Sequence, residues 1–179
     1  PGIGGEVFKR AGGVPVNIPG GELYTALQTG VIDATEWVGP YNDLAFGFQQ
    51  VAKYYYFPGW HEPGSMLEFI INLDAWNELP TYLQSIVKTA AKAVNQDLLD
   101  EYTAMNNQAL RELIDVHNVQ LKKLPDDVIN EFRVISKSVL DEIAENDEQF
   151  KSIYESYLKF KSEVVSYHEI SEDAYTKIR

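Results

Sequence analysis

Glu36 and Trp37 stand side by side just ahead of Gly39-Pro40, and a second acid, Glu62, follows Trp60 and His61 in another loop bounded by Pro and Gly. A carboxylate at a strand end can ligate a cation or accept a hydrogen bond from a ligand hydroxyl. The adjacent indole offers an apolar wall and one N–H donor. The same residues also fit a solvated Glu36 and a core Trp37, and composition leaves both readings open. The run Tyr54-Tyr55-Tyr56-Phe57-Pro58-Gly59-Trp60-His61-Glu62-Pro63 is the second candidate. Strand alternation puts Tyr54 and Tyr56 on one side and Tyr55 and Phe57 on the other. Aromatic walls with a few polar groups are what small-molecule pockets use; a strand buried on both faces is the competing reading.

Other chemistry finds less support. The histidines are His61, His117 and His168, and none falls in a His-x-x-x-His or His-Glu-x-x-His pattern. Carboxylates and carbonyls make a hard-cation site chemically easier than a zinc site. Glu36 and Glu62 could flank one ligand as an acid/base pair. No nucleophile motif or phosphate loop is present, and Gly2-Ile3-Gly4-Gly5 is too short for a dinucleotide fingerprint and lacks a preceding strand.

The elements that must position these residues divide the chain in two. All twelve glycines lie at or before Gly64, so the first part reads as short elements joined by tight turns. The pattern predicts a helix over 4–10, a strand over 15–18 and a helix over 22–29 with Leu23, Ala26 and Leu27 on one face and Gly30 as C-cap. A strand over 32–36, a helical stretch over 41–50 and strands over 53–57 and 66–72 follow. At least three βα passages are expected near the start. A helical tract opens at Asp74. No Gly or Pro interrupts 81–116, and Leu83, Val87, Ala90, Val94, Leu98, Tyr102, Met105, Ala109 and Leu113 define one face. A strand over 119–123 is closed by Leu124-Pro125. A helix over 126–144 turns Val128, Phe132, Ile135, Val139 and Ile143 inward. Asp147 is read as the N-cap of a further helix, and Ser171 as the cap of a last short turn.

The 179 residues, 45% hydrophobic and 23% charged, suit a soluble chain with a real core. A net charge of −12 argues against nucleic acid as partner. It does not exclude an anionic ligand, because one local Arg or metal ion overrides the global field. With no Cys, there is no disulfide framework and no thiolate metal site. No apolar run approaches the ~20 residues of a membrane-spanning helix. The opening at Pro1-Gly2, without Met, reads as a cut or as lacking an upstream region, so a signal peptide would not be seen.

One stretch carries a resemblance. Pro19-Gly-Gly-Glu-Leu-Tyr-Thr-Ala-Leu-Gln-Thr-Gly-Val-Ile-Asp-Ala-Thr-Glu-Trp-Val-Gly-Pro-Tyr-Asn-Asp43, continued by Val51-Ala-Lys-Tyr-Tyr-Tyr-Phe-Pro-Gly-Trp60 and Glu62, resembles the extracytoplasmic solute receptors of TRAP transporters (DctP-like proteins), in the subgroup that binds 2-oxo acids and related carboxylates. The resemblance covers essentially the whole chain, aligned to the second half of that family. It implies an α/β, helix-rich, periplasmic-binding-protein-like (class II-like) two-lobe receptor, represented by its C-terminal part. It further implies a second-lobe portion over 1–35, a crossing segment and part of the first lobe over 36–73, a long helix and second-lobe helices over 74–146, and a C-terminal helical dimerisation segment over 147–179.

The implied function is the extracytoplasmic, periplasmic solute-binding component of a TRAP-type secondary transporter, not an enzyme. It would bind a small 2-oxo or 2-hydroxy carboxylate, partner the transporter's membrane subunits and form a homodimer. By resemblance, Glu36, the Trp37 main-chain carbonyl and Glu62 ligate a Na or Ca ion that bridges the substrate carboxylate, with no organic cofactor. Trp37, Tyr56, Trp60 and His61 join Glu36 and Glu62 as ligand-binding residues. The family's carboxylate-binding arginine belongs in the strand before Pro1, and Arg10, a helix away from the motif, is no substitute. Two rival readings stand beside this one: an enzyme using the Glu36/Glu62 pair, and a helical interaction fragment in which the aromatics are only core.

Overall fold

Helices dominate the computed structural model, which describes residues 2–64 and 67–179. In chain order the elements are α1 (Gly2–Arg10), a 3-10 turn (Gly20–Glu22), α2 (Leu23–Thr29), α3 (Pro40–Ala45), a second 3-10 turn (Phe48–Gln50), β1 (Tyr54–Phe57), α4 (Leu73–Glu78), α5 (Thr81–Asp115), β2 (Gln120–Lys123), α6 (Asp126–Asn146), α7 (Glu148–Ile170) and α8 (Glu172–Ile178). They fall into two compact units, residues 16–125 and residues 2–15 with 126–179.

In the first unit, Gly30 ends α2 in the left-handed conformation that an L side chain rarely adopts (φ 71°). The turn is closed by Val31 N–H donating to the Ala26 carbonyl at 2.9 Å. Pro40 begins α3, where a missing N–H costs nothing. Tyr41 N–H is then satisfied by the side-chain oxygen of Asn106, on α5, at 3.0 Å. β1 pairs parallel with β2, Tyr54 opposite Gln120 and Phe57 opposite Lys123. Asn72 caps α4 by accepting from Asp74 N–H and Ala75 N–H. Leu23, Ala26, Phe48, Ala109, Leu113 and Val119 form the buried apolar set of this unit.

The second unit is helical. Val7 of α1 and Val139 of α6 are its most buried apolar residues. Arg10 closes α1 onto α6 with a bidentate pair to Glu142 (2.6 and 2.8 Å) while also bonding Glu6 at 2.9 Å. Hydrogen bonds to Arg10 and then Ser138 hold the Glu142 carboxyl down at about 2. Asp147 caps α7 as expected, accepting from Phe150 N–H at 2.9 Å.

Several expectations fail, and the reasons are physical. Residues 15–18, 32–36 and 67–72 form no strand, and Met66 lies outside the described residues. Branched and aromatic composition favours extended backbone, but a strand exists only where a partner supplies its hydrogen bonds. The one sheet among the described residues has two strands, so the three βα passages are not formed. Val14, Val16, Val31, Leu67, Phe69 and Ile70 are accordingly exposed. The helical tract from Asp74 is broken in two, because Leu79-Pro80 is extended and α5 starts afresh at Thr81. Of the α5 stripe, Ala109 and Leu113 are buried and Leu83, Val87, Tyr102 and Met105 half-buried, while Ala90, Val94 and Leu98 are exposed: the middle of that helix is the part left uncovered. Ser171 stands at the N-cap of α8, its carbonyl accepting from Tyr175 N–H at 3.1 Å, but its side chain does not cap: the hydroxyl donates back to the Tyr167 carbonyl at 2.8 Å.

Candidate cation and ligand site

The acid–aromatic pair sits in irregular chain between the Gly30 turn and α3. Thr35 Oγ1 donates to the Glu36 carbonyl at 3.0 Å, which shapes the backbone at Glu36. The Trp37 ring has two close neighbours. Phe46, just after α3, lies with ring centroids 4.9 Å apart. Gly20 is so near that a Cβ there would stand 2.5 Å from the indole edge. Trp37 Nε1 is buried and has no hydrogen-bond partner among the described residues.

The second segment leaves β1 through a cis Phe57–Pro58 bond. It turns tightly at Gly59, where a Cβ would touch the Glu62 backbone, and delivers Trp60, His61 and Glu62. The His61 ring lies against Trp60, with centroids 4.7 Å apart. Its Nε2 is 3.8 Å from Glu36 Oε2. Glu36, His61 and Glu62 each offer one ligand atom, all within 4.8 Å of one another, and the three are exposed. Among the described residues this is the one group of three such side chains. His117 and His168 instead pair with acids on their own stretches of chain, Glu112 at 3.7 Å and Glu172 at 3.6 Å.

Of the six residues singled out in the sequence, Glu36, His61 and Glu62 meet, Trp60 packs at a tilt against His61, and Trp37 is fixed beside Glu36 by its packing. Tyr56 stands exposed on β1. Arg10 is taken up by Glu142 and Glu6.

Sequence reasoning missed a buried pair beneath these segments. Asp43, in the first turn of α3, is 7% exposed. Its Oδ2 accepts from the Tyr55 hydroxyl at 2.6 Å, and its Oδ1 from Val38 N–H at 3.3 Å. Burial pushes the Asp43 carboxyl above the usual carboxylate range, against the pull of its hydrogen bonds to Tyr55, Val38 and Gly39. Burial also raises Tyr55, with Asp43 adding to the effect. An acid one turn after Gly-Pro was the signal available; nothing in the spacing said that β1 would supply its partner.

The donor set tests what the cluster can hold. Two carboxylates supply hard oxygen ligands of the kind that sodium and calcium take, and His61 adds one nitrogen at the edge.

The sequence profile of bacterial extracellular solute-binding protein family 7 (DctP) matches residues 2–147. The chain is 39% identical over 175 residues to the monocarboxylate 2-oxoacid-binding periplasmic protein of Nostoc sp., covering 98% of this chain and 48% of that protein. A TRAP periplasmic solute-binding protein of Colwellia psychrerythraea, with bound calcium and pyruvate, superposes with a TM-score of 0.95 at 39% identity, over 100% of this chain and 55% of that one. A TRAP transporter solute-binding protein of Bordetella bronchiseptica gives 0.91 at 36% identity, over 99% and 52%. It is a mixed-occupancy dimer with calcium and picolinate in one active site and an apo second site. The chain thus spans about half the length of the relatives it matches.

Proposed function

The chain belongs to bacterial extracellular solute-binding protein family 7, and we propose that it forms part of the periplasmic solute receptor of a TRAP-type transporter. In this reading the receptor binds a small 2-oxo or 2-hydroxy carboxylate through a cation and hands it to the transporter's membrane subunits. The observation that carries the reading is the meeting of Glu36 and Glu62, from separate segments, with ligand atoms within 4.8 Å. Two unscreened carboxylates that close repel each other by roughly 1 kcal/mol even in a water-like dielectric, and both would repel an anionic ligand.

Glu36, the Trp37 main-chain carbonyl and Glu62 are the proposed donors to a sodium or calcium ion, with His61 beside them. When bound, such an ion turns the paired acids from a liability into ligands and gives the substrate carboxylate a counter-charge. Trp37, Tyr56 and Trp60 are the proposed walls. The buried Trp37 N–H, which has no partner among the described residues, is a donor that a ligand oxygen would satisfy. The calcium and pyruvate held by the Colwellia relative support the same chemistry. The family match and the calcium and pyruvate of the Colwellia relative favour the paired acids as ligands over an acid/base couple.

The C-terminal tract is proposed as a dimer interface. Tyr157, Phe160, Val165, Tyr167 and Ile170 stand exposed along α7, an amount of apolar surface that marks a partner contact, and the Bordetella relative is a dimer.

Calorimetry on the full-length receptor with pyruvate as the probe tests the reading, this 179-residue portion alone being expected to bind weakly or not at all. Heat of binding is expected with calcium present, and a large loss of affinity after chelation or in Glu36→Gln. Unchanged affinity in both cases would refute the cation-bridged site, and turnover of the acid that is lost in Glu36→Gln would favour the enzyme.

A further inference from the structure

Asp43 is the only buried charged residue among the described residues, and neither its position nor its bonds belong to an ordinary surface acid. Its two oxygens reach in different directions. Oδ1 takes the N–H of Val38, the residue directly after Trp37, while Oδ2 takes the hydroxyl of Tyr55, the second residue of β1. The Asp43 N–H itself donates to the Gly39 carbonyl at 2.9 Å. One carboxylate therefore ties the backbone that carries Glu36 and Trp37 to the strand that leads, through Pro58 and Gly59, to His61 and Glu62.

The surroundings reinforce the tie. Phe46, just beyond Asp43 on the same short segment, packs on the Trp37 ring. Tyr41, on the other side, is anchored to Asn106 of α5 through its N–H, and its ring meets Tyr102 edge-on at 5.9 Å. Holding a buried carboxylate here opposes its own desolvation, which is why its carboxyl is pushed up. An apolar residue would fill the same space at lower cost, but could not grip a backbone N–H and a phenol at once.

We propose that the Asp43–Tyr55 pair is the positioning element of the cation site, setting the spacing of Glu36 and Glu62 by locking the 36–38 backbone against β1. The proposal rests on the reading of Glu36, the Trp37 carbonyl and Glu62 as cation ligands. Asp43 acts through Val38 and through the strand, as outer partners of metal ligands do. Loss of such partners typically weakens metal affinity by about 10–100-fold.

The test uses terbium as a luminescent stand-in for calcium, with emission sensitised by the indoles of Trp37 and Trp60. Wild type is expected to bind terbium, and Glu36→Gln to lose it. Asp43→Ala is expected to weaken terbium binding by about 10–100-fold, and Tyr55→Phe to weaken it in the same direction by less. Asp43→Asn, which keeps the shape and an acceptor for Val38, should recover most of the affinity. Leu113→Ala, a cavity in the same unit far along α5, should lower the melting temperature and leave the affinity unchanged.

Asp43→Ala melting early like Leu113→Ala, yet binding terbium as wild type does, would overturn the proposal and leave the pair purely structural. If Asp43→Asn loses as much as Asp43→Ala, the cation senses the charge and not the placement, and the proposal also falls. If Asp43→Ala fails to fold, Tyr55→Phe decides: wild-type affinity there defeats the positioning role. If Glu36→Gln binds as tightly as wild type, the cation reading fails first, and the two failures are told apart.

Discussion

Gly20→Ala places one methyl group where the structure has no room for it. The new Cβ would stand 2.5 Å from Trp37 Cη2, 3.0 Å from Cζ3 and 3.4 Å from Cζ2. Carbon atoms rest at about 3.5–4.0 Å, so the ring edge must retreat by roughly 1 Å or more. It cannot retreat freely, because Phe46 lies against the indole at 4.9 Å and Phe46 in turn meets Phe48, which is buried, at 5.6 Å. Overpacking of this kind costs about 1–3 kcal/mol. For a chain of this size each kcal/mol moves the melting midpoint by about 2–4 °C, so the expected loss is about 2–12 °C. The neighbouring Gly21→Ala is the control, since a Cβ there meets nothing within 4 Å. Thermal melts of the two variants, followed by circular dichroism and by tryptophan emission, make the comparison. Equal midpoints for Gly20→Ala and Gly21→Ala would refute the argument that Trp37 is seated against residue 20. A shifted Trp37 should also disturb its carbonyl, so Gly20→Ala is expected to weaken calcium binding while Gly21→Ala does not.

Leu113→Ala opens a cavity beside Ala109 and is expected to cost about 2–5 kcal/mol in urea unfolding. An unchanged midpoint would mean that the C-terminal end of α5 is not core. Glu142 sits at about 2 in the folded chain against an ordinary 4.5, so the folded state holds its charge more tightly. Its contribution is present above about 4.5 and is lost as pH falls toward about 2. Acid unfolding of Glu142→Gln should therefore be less steep across that window than that of wild type; identical acid profiles would show that the Arg10 pair contributes nothing, as many exposed ion pairs do. Replacing Tyr157, Phe160 and Tyr167 together by polar residues is expected to convert a dimer to a monomer in light scattering. A wild-type monomer at tens of micromolar would defeat the dimer proposal.

Local signals carried well wherever they were self-sufficient. Gly30 ends α2 and Asp147 caps α7, because each acts within a turn or two of itself, whereas the helix expected over 41–50 starts at Pro40 and stops at Ala45, ahead of a 3-10 turn at 48–50. The uninterrupted run from Thr81 yields one helix to Asp115 for the same reason. Signals that need a distant partner carried badly. Residues 15–18 and 32–36 have strand composition and no strand beside them, whereas Tyr54–Phe57 succeeds because Gln120–Lys123 arrives to pair with it. At the site, Glu36, His61 and Glu62 were legible as chemistry, since acids and an imidazole among aromatics are conspicuous in any chain. The support under them was not. Asp43 and Tyr55 meet across α3 and β1, and no periodicity links an acid after Gly-Pro to the middle of an aromatic strand.

Glu36, the Trp37 carbonyl and Glu62 are proposed to hold a cation between them. The most direct measurement is an anomalous difference map from crystals grown with calcium or soaked in terbium. A single strong peak is expected, with carboxylate oxygens of Glu36 and Glu62 and the Trp37 main-chain oxygen at about 2.3–2.6 Å from it. A peak at any other acids of this strongly acidic chain, with none between Glu36 and Glu62, would contradict the claim.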